Sequence, residues 1–222
     1  MGQSLRIAAF LLLFALPVSA GAEQPAAVTP AAGQIESYNF QVLRNGTPIG
    51  HHRVTVRRDG ARSDVRIDIA LRVTAAGVLT LYRYIHNSHE VWDGDRLVSL
   101  QSTTDNDGEQ QYLNAVAAAD GLLVDGSRFR GLLPADTMPT SYWRSDFVQR
   151  ATIMDSQNGR RLNLAVTPER FDMASAARDE TPARRYRLTG DVELTLWYDR
   201  DGRWVKTAFP ARDGSKIEYL LQ

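Results

Sequence analysis

The side chains with chemistry to offer in this 222-residue chain are four histidines and the aromatic and acidic residues around them. Histidine is the usual proton shuttle and metal ligand near neutral pH. The four stand as His51-His52 and as His86-x-x-His89, with Glu90 next to the last. If Asp59-Gly60 closes a two-residue hairpin, partner numbers across it sum to 119. Val54 then faces Val65, His52 faces Ile67 on the core side, and His51 meets Asp68 on the other side. Adjacent strand residues point to opposite faces, so His51 and His52 do not share a metal, and neither do His86 and His89, an odd number apart. His86 and Glu90 share a face but stand about 13 Å apart at ~3.3 Å per residue. No metal site and no cofactor are expected. The chain also lacks the G-x-S-x-G elbow, the phosphate-binding glycine loop, H-E-x-x-H and the dinucleotide fingerprint. Asp105-Asn106-Asp107-Gly108-Glu109 imitates a calcium loop, but Thr103 falls at the first ligand position and Asn114 where the closing Glu belongs, so it reads as a hairpin turn.

What remains is the stretch from Leu81 to Trp92. One face carries Tyr82, Tyr84, His86, Ser88, Glu90 and Trp92, and the other Leu81, Arg83, Ile85, Asn87, His89 and Val91. Neither face is purely apolar. A strand of amphipathic aromatics and ionisable groups suits the wall of a wet cavity, where a ligand finds apolar surface and a few polar anchors. The same residues also suit a core in which tyrosines bond inner polar groups. Tyr142 and Trp143 carry the same pair of readings, as a plug packed into the core or as a gate for a ligand. The candidate ligand-binding set is Tyr82, Tyr84, His86, Glu90, Trp92, Tyr142 and Trp143, with no catalytic residue and no metal ligand assigned.

The elements that position this set follow from the glycines. Asp-Gly occurs seven times, at residues 59, 93, 107, 120, 125, 201 and 213, and Asn-Gly at residues 45 and 158. These dipeptides tolerate the positive φ angles of tight hairpins. Between them, runs such as Val65, Ile67, Ile69, Leu71, Val73 and Val192, Leu194, Leu196, Tyr198 alternate with polar residues, as a sheet with one buried face demands. About twelve strands joined by short turns make a mainly β, antiparallel meander. So many twisted strands curl into an incomplete or closed barrel. One stretch, Leu132 to Arg150, breaks the rhythm. Pro134 and Pro139 interrupt it, and Thr140 or Ser141 is placed to cap a short helix running to about Gln149, laid over the mouth of the curled sheet.

Composition narrows the function classes. The chain has 26 basic and 26 acidic side chains, and the basic ones are arginines except for Lys206 and Lys216. With no clustered basic excess, nucleic acid is not an expected partner. With no cysteine, disulfides, thiolate nucleophiles and thiolate metal sites are excluded. Residues 1–20 have the pattern of a secretory signal: Arg6, the apolar run Ile7 to Val18, and small residues at Val18-Ser19-Ala20. That run is shorter than the ~20 residues of a membrane-spanning helix. A cleaved, exported and most simply periplasmic protein is expected, with no transmembrane segment after cleavage. Residues 21–34 read as an Ala/Pro-rich leader and residues 35–222 as a single β domain.

From about Phe40 to Leu221 the chain resembles an uncharacterised exported bacterial family known only as a domain of unknown function. The resemblance rests on Asn45-Gly46-x-x-Ile49-Gly50, Tyr82-Arg83-Tyr84-x-His86-x-x-x-Glu90-x-Trp92, Thr103-x-Asp105-x-Asp107-Gly108, Ser141-Tyr142-Trp143, Leu196-Trp197-Tyr198-Asp199 and Ser215-x-x-x-Tyr219-x-Leu221. It implies an antiparallel sheet curled as a part-barrel and brings no activity or catalytic residue. The implied fold is similar to the half-barrel lipoprotein carriers of the periplasm. Three functions are in play. The first is a periplasmic binding or carrier protein for an apolar, amphipathic or lipid-like small molecule. The second is an envelope assembly or interaction protein with a side-chain-filled core. The third, and the only enzyme among them, is a hydrolase-like protein with His86 or His51 as general base. An interior cavity of ligand size discriminates the first from the second.

Overall fold

The structure is a computed structural model and describes residues 33–75, 79–175 and 180–222. The stretches expected to be a signal (residues 1–20) and a leader (residues 21–34) lie outside the described residues except for residues 33 and 34, and the first strand begins at Gln34. Eight strands follow in a meander: β1 (Gln34–Arg44), β2 (Thr47–Asp59), β3 (Arg62–Ala75), β4 (Leu79–Asp93), β5 (Arg96–Asn106), β6 (Glu109–Ala118), β7 (Gly121–Gly126) and β8 (Arg130–Leu133). An irregular stretch carries the short strands β9 (Met138–Pro139), β10 (Ile153–Met154) and β11 (Arg161–Leu162), which make a small sheet of their own. A second meander closes the chain: β12 (Leu164–Ser175), β13 (Glu180–Gly190), β14 (Leu194–Asp199), β15 (Trp204–Pro210) and β16 (Lys216–Leu221).

The two meanders form one thirteen-stranded sheet because β16 pairs antiparallel with β1, Leu221 opposite Phe40 and Tyr219 opposite Val42. The sheet does not close into a barrel. Its edges are β8 and β12. Edge strands invite unwanted pairing. Here β8 is four residues long and is followed by Pro134, while β12 is bent by a bulge between Pro168 and Phe171.

Alternation sorts the side chains as expected. On the inner face, consecutive cross-strand rows read Phe40, His52, Ile69, His86, Thr104, Gln111, then Tyr38, Val54, Ile67, Ser88, Ser102, Leu113. The hairpin register differs from the sequence expectation. Asp59 pairs with Arg62, so the turn residues are Gly60-Ala61 and partner numbers sum to 121, not 119. The cause is the position of the positive φ. Gly60 alone carries it (58°), which fits the first central position of the turn, and the turn slides forward by one residue. Val54 therefore faces Ile67, His52 faces Ile69, and His51 lies opposite Ala70. A slip of two leaves every side chain on its expected face. Asp125-Gly126 is likewise no turn but the end of β7.

Candidate functional site

Residues 134–163 do not lie over the mouth of the curled sheet. They fill its concavity. Met138, Trp143, Phe147, Ile153, Met154 and Leu162 are all buried and belong to the one hydrophobic core. The expected helix is a 3₁₀ turn, Ser145–Gln149, with no side-chain cap. Thr140 serves elsewhere: its Oγ1 accepts from the Ser156 amide at 3.0 Å. Tyr142, at φ +62°, breaks the backbone before a regular helix can start. Gly126 shows how closely the segment sits on the sheet, since a Cβ there would come 2.3 Å from the Asn158 carbonyl oxygen. Gly126→Ala is expected to cost about 2 kcal/mol through forced displacement of one backbone by the other, read as a lowered urea midpoint.

One end of the seam between segment and sheet is a clasp around Glu90. This carboxyl is fully buried in a row of Val56, Val65, Leu100 and Ala115. Trp92 and Trp143 both donate their indole N–H groups to its Oε2, at 2.8 and 3.1 Å. Burial raises the Glu90 pKa, and the two indoles, the Ser141 hydroxyl and the Arg144 charge only partly offset that. Over the indoles lie two guanidinium groups, Arg144 at 4.7 Å from the Trp92 ring and Arg58 at 5.5 Å from the Trp143 ring. Arg144 is held by both oxygens of Asp146 and by the Gly94 carbonyl.

Further along the seam are the two inward histidines. His86 shares a 2.8 Å hydrogen bond between Nδ1 and Thr104 Oγ1, while His52, 4% exposed, has no partner for either ring nitrogen. Burial keeps both rings neutral and lowers their pKa, to about 4 for His86 and about 3 for His52. Ser88 Oγ, between His86 and Glu90, is also without a partner. Other contacts across the seam are complete: Ser102 donates to the Ser156 carbonyl at 2.6 Å, and Asn158 Nδ2 to Gln111 Oε1 at 3.0 Å.

The opposite end is lined by tyrosines. Tyr82 donates to Asn106 Oδ1 at 2.8 Å. Tyr84 stacks on His86, Tyr219 packs edge-on against His52, and Tyr142 packs against Phe147 and Trp204. Trp204 in turn touches His52, with ring centroids 5.1 Å apart.

The sequence-derived set therefore divides between two places. Glu90, Trp92 and Trp143 meet at the clasp, whereas Tyr82, Tyr84, His86 and Tyr142 belong to the tyrosine end. The set omits His52, Tyr219 and Trp204. For His52 the inward alternation is a usable signal. For Tyr219 none exists locally, since its place depends on the pairing of β16 with β1. The outward histidines make surface contacts, His51 with Asp68 at 2.6 Å and His89 with Asp64 at 2.9 Å. Among the described residues, no group of three or more His, Asp or Glu side chains is placed to hold a metal ion, and no helix is long and apolar enough to cross a membrane. Two open clefts of about 280 and about 210 Å³ lie at the rims, and neither is lined by Tyr84, His86 or Glu90.

Residues 40–222 match the model of a family described as a domain of unknown function (DUF6134). The chain belongs to this family. No curated protein matches it. The match spans all of the second meander and all but the first residues of β1, so the clasp, the filling segment and the tyrosine end are parts of the family domain itself.

Proposed function

We propose that the chain is an exported binding protein for an apolar or amphipathic small molecule, and that residues 134–163 hold the ligand's place when none is bound. One observation carries this reading. Along the inner face, both nitrogens of His52 and the Ser88 Oγ are buried without partners. Each such atom costs about 1–3 kcal/mol relative to a satisfied or apolar alternative. Neighbouring positions of the same face carry valine, isoleucine and leucine, so a core built for stability alone had apolar solutions at hand. Polar groups kept at that cost fit a seam that opens to water or to a ligand. Export rests on the N-terminal pattern of residues 1–20.

The test is native mass spectrometry of the mature protein from a periplasmic extract, compared with its denatured mass. A reproducible excess of a few hundred daltons, lost on denaturation, is expected, on a polypeptide that begins at Gly21 or Glu23. A clean polypeptide mass, with no change in Trp143 fluorescence on adding amphiphiles, supports the second reading. That reading is an interaction protein with a filled core. It draws on the packed concavity, since the clefts found are open and away from Tyr84, His86 and Glu90, the cavity outcome that favours this reading. It draws also on an exposed apolar row, Val116, Leu123 and Leu132, that crosses β6 and β7 to the free edge β8.

A further inference from the structure

The filling segment does not cover the whole inner face. One cross-strand row runs from the core to the free edge β12 as Trp204, Tyr198, Arg184, Phe171. Trp204 and Tyr198 are buried, and the Tyr198 hydroxyl donates to the Tyr142 carbonyl of the segment at 2.8 Å. Beyond them the cover stops: Arg184 is exposed and Phe171 is 48% exposed. An open cleft of about 210 Å³ remains there, between the 3₁₀ turn of the segment and strands β12 to β14, with Phe171, Arg184, Tyr186, Asp199 and Arg200 in its lining. Tyr186 is propped edge-on against Tyr198, ring centroids 6.0 Å apart. Gly202, at φ +77°, presses on the 3₁₀ turn, since a Cβ there would lie 2.6 Å from Ser145 Oγ.

Resting on the binding-protein reading above, we infer that this rim cleft takes the oxyanion head of an amphiphile, a carboxylate or a phosphate ester, with Arg184 as its forked donor. The charges of the lining narrow the class. The outward arginines of the same strand, Arg185 and Arg187, are both paired with Glu169. Arg184 points inward and lies with its Cζ 4.8 Å from the centre of the Phe171 ring, and neither it nor Arg200 meets a carboxylate among the described residues. Attraction to a ring face steadies a guanidinium without using its N–H donors, which match the two oxygens of a carboxylate or phosphate. The one acid in the lining, Asp199, is engaged: its Oδ1 accepts from the Asp201 and Arg203 amides at 3.0 and 2.8 Å. Two positive charges thus stand against one negative, which disfavours a cation. The cleft is smaller than the ~300 Å³ of sites that enclose a whole small molecule, so it holds the head and the adjoining carbons against Phe171 and Tyr186. Met173, 49% exposed and on the same face of β12 as Phe171, extends the apolar surface for the rest of the chain.

The experiment is a calorimetric titration of the mature protein, below micelle concentrations, with four probes: decanoate, decyl phosphate, 1-O-decylglycerol (uncharged) and decyltrimethylammonium (a cation). At least one anion is expected to bind about ten times or more tighter than the uncharged and cationic probes, and which anion does so separates a fatty-acid source from a phosphate-ester source. Arg184→Gln, with unchanged circular dichroism, is expected to weaken anion binding about tenfold and to leave the uncharged probe unchanged. Arg187→Gln, on the opposite face of the same strand, is expected to change neither. Equal affinities for anionic and uncharged probes, or equal losses in Arg184→Gln and Arg187→Gln, overturn the cleft while leaving a binding protein. Failure of all four probes to bind also overturns the cleft, and the binding-protein reading falls with it only if the native mass spectrum shows a clean polypeptide.

Discussion

Acidification from pH 7.5 to 5 is expected to remove about 4 kcal/mol of folding stability, through two imidazoles the fold keeps neutral. His52 and His86 have their pKa values pushed down to about 3 and about 4, against 6.5 for an unrestrained ring. Between those values the unfolded chain binds a proton at each ring and the folded chain does not. The stabilisation is thus complete above pH 6.5 and drains away as pH falls toward the folded values. Glu90 works in the opposite sense. Its raised pKa makes the fold prefer the protonated acid, so its penalty grows as pH rises above 4.5 and is relieved on acidification. With a total stability of about 5–15 kcal/mol for a domain, the histidine effect is large enough to bring the protein near unfolding by pH 5. Urea midpoints measured from pH 7.5 to 4.5 would show it as a steady decline. His52→Phe, set among Phe40, Trp204 and Tyr219, is expected to halve the slope. An unchanged slope in His52→Phe would mean that the His52 ring is solvated in the folded protein and titrates there as it does in the unfolded chain.

Trp143→Ala is expected to be the most destabilising single substitution in the filling segment, at about 4 kcal/mol. The ring is buried, packs edge-on against Trp92 with centroids 6.2 Å apart, donates to Glu90 and lies under Arg58 and Arg144. Removing it leaves a cavity and takes one of two indole donors from a buried carboxyl. Trp143→Phe keeps most of the apolar surface and loses the N–H, so about 1–2 kcal/mol is expected. The informative measurement is the double-mutant cycle of Trp143→Phe with Glu90→Leu. If the clasp fastens the segment to the sheet, the two substitutions interact by about 1–2 kcal/mol. Strict additivity would mean that the segment is held by apolar packing alone. In the same assay, segment opening by an amphiphile would move Trp143 from an apolar to a wet environment and red-shift its emission.

The alternation of residues 62–75 and 79–93 is enough to tell which way each side chain points, and it puts Glu90, His86 and Trp92 on one face, where the structure has them. That legibility is robust because the pleat has a period of two and a register slip of two preserves it. The Asp59-Gly60 hairpin is displaced by two, and no side chain changes face. Directly opposite residues are not protected in this way: His51 lies opposite Ala70, although its ring still reaches the expected Asp68 diagonally at 2.6 Å. Asp107-Gly108 takes positive φ at both residues and sits as the two turn residues, whereas at Asp59-Gly60 only the glycine does and the turn falls one residue later. The dipeptide signals a turn but does not place its register.

Local rules suffice for a mainly β, antiparallel, hairpin-built domain, for the inward and outward faces of its strands, and for the absence of thiol chemistry. Pleat geometry, turn stereochemistry and residue type set each of these within a few neighbouring residues. Long-range packing is what docks β16 on β1, brings Tyr219 to His52 and leaves the sheet open. It also places residues 134–163 inside the concavity, where Trp143 reaches a glutamate 53 residues away in the chain. No short window of sequence encodes those contacts. They close long loops, at an entropic cost that rises only slowly with length, and so depend on which distant apolar surfaces bury one another best.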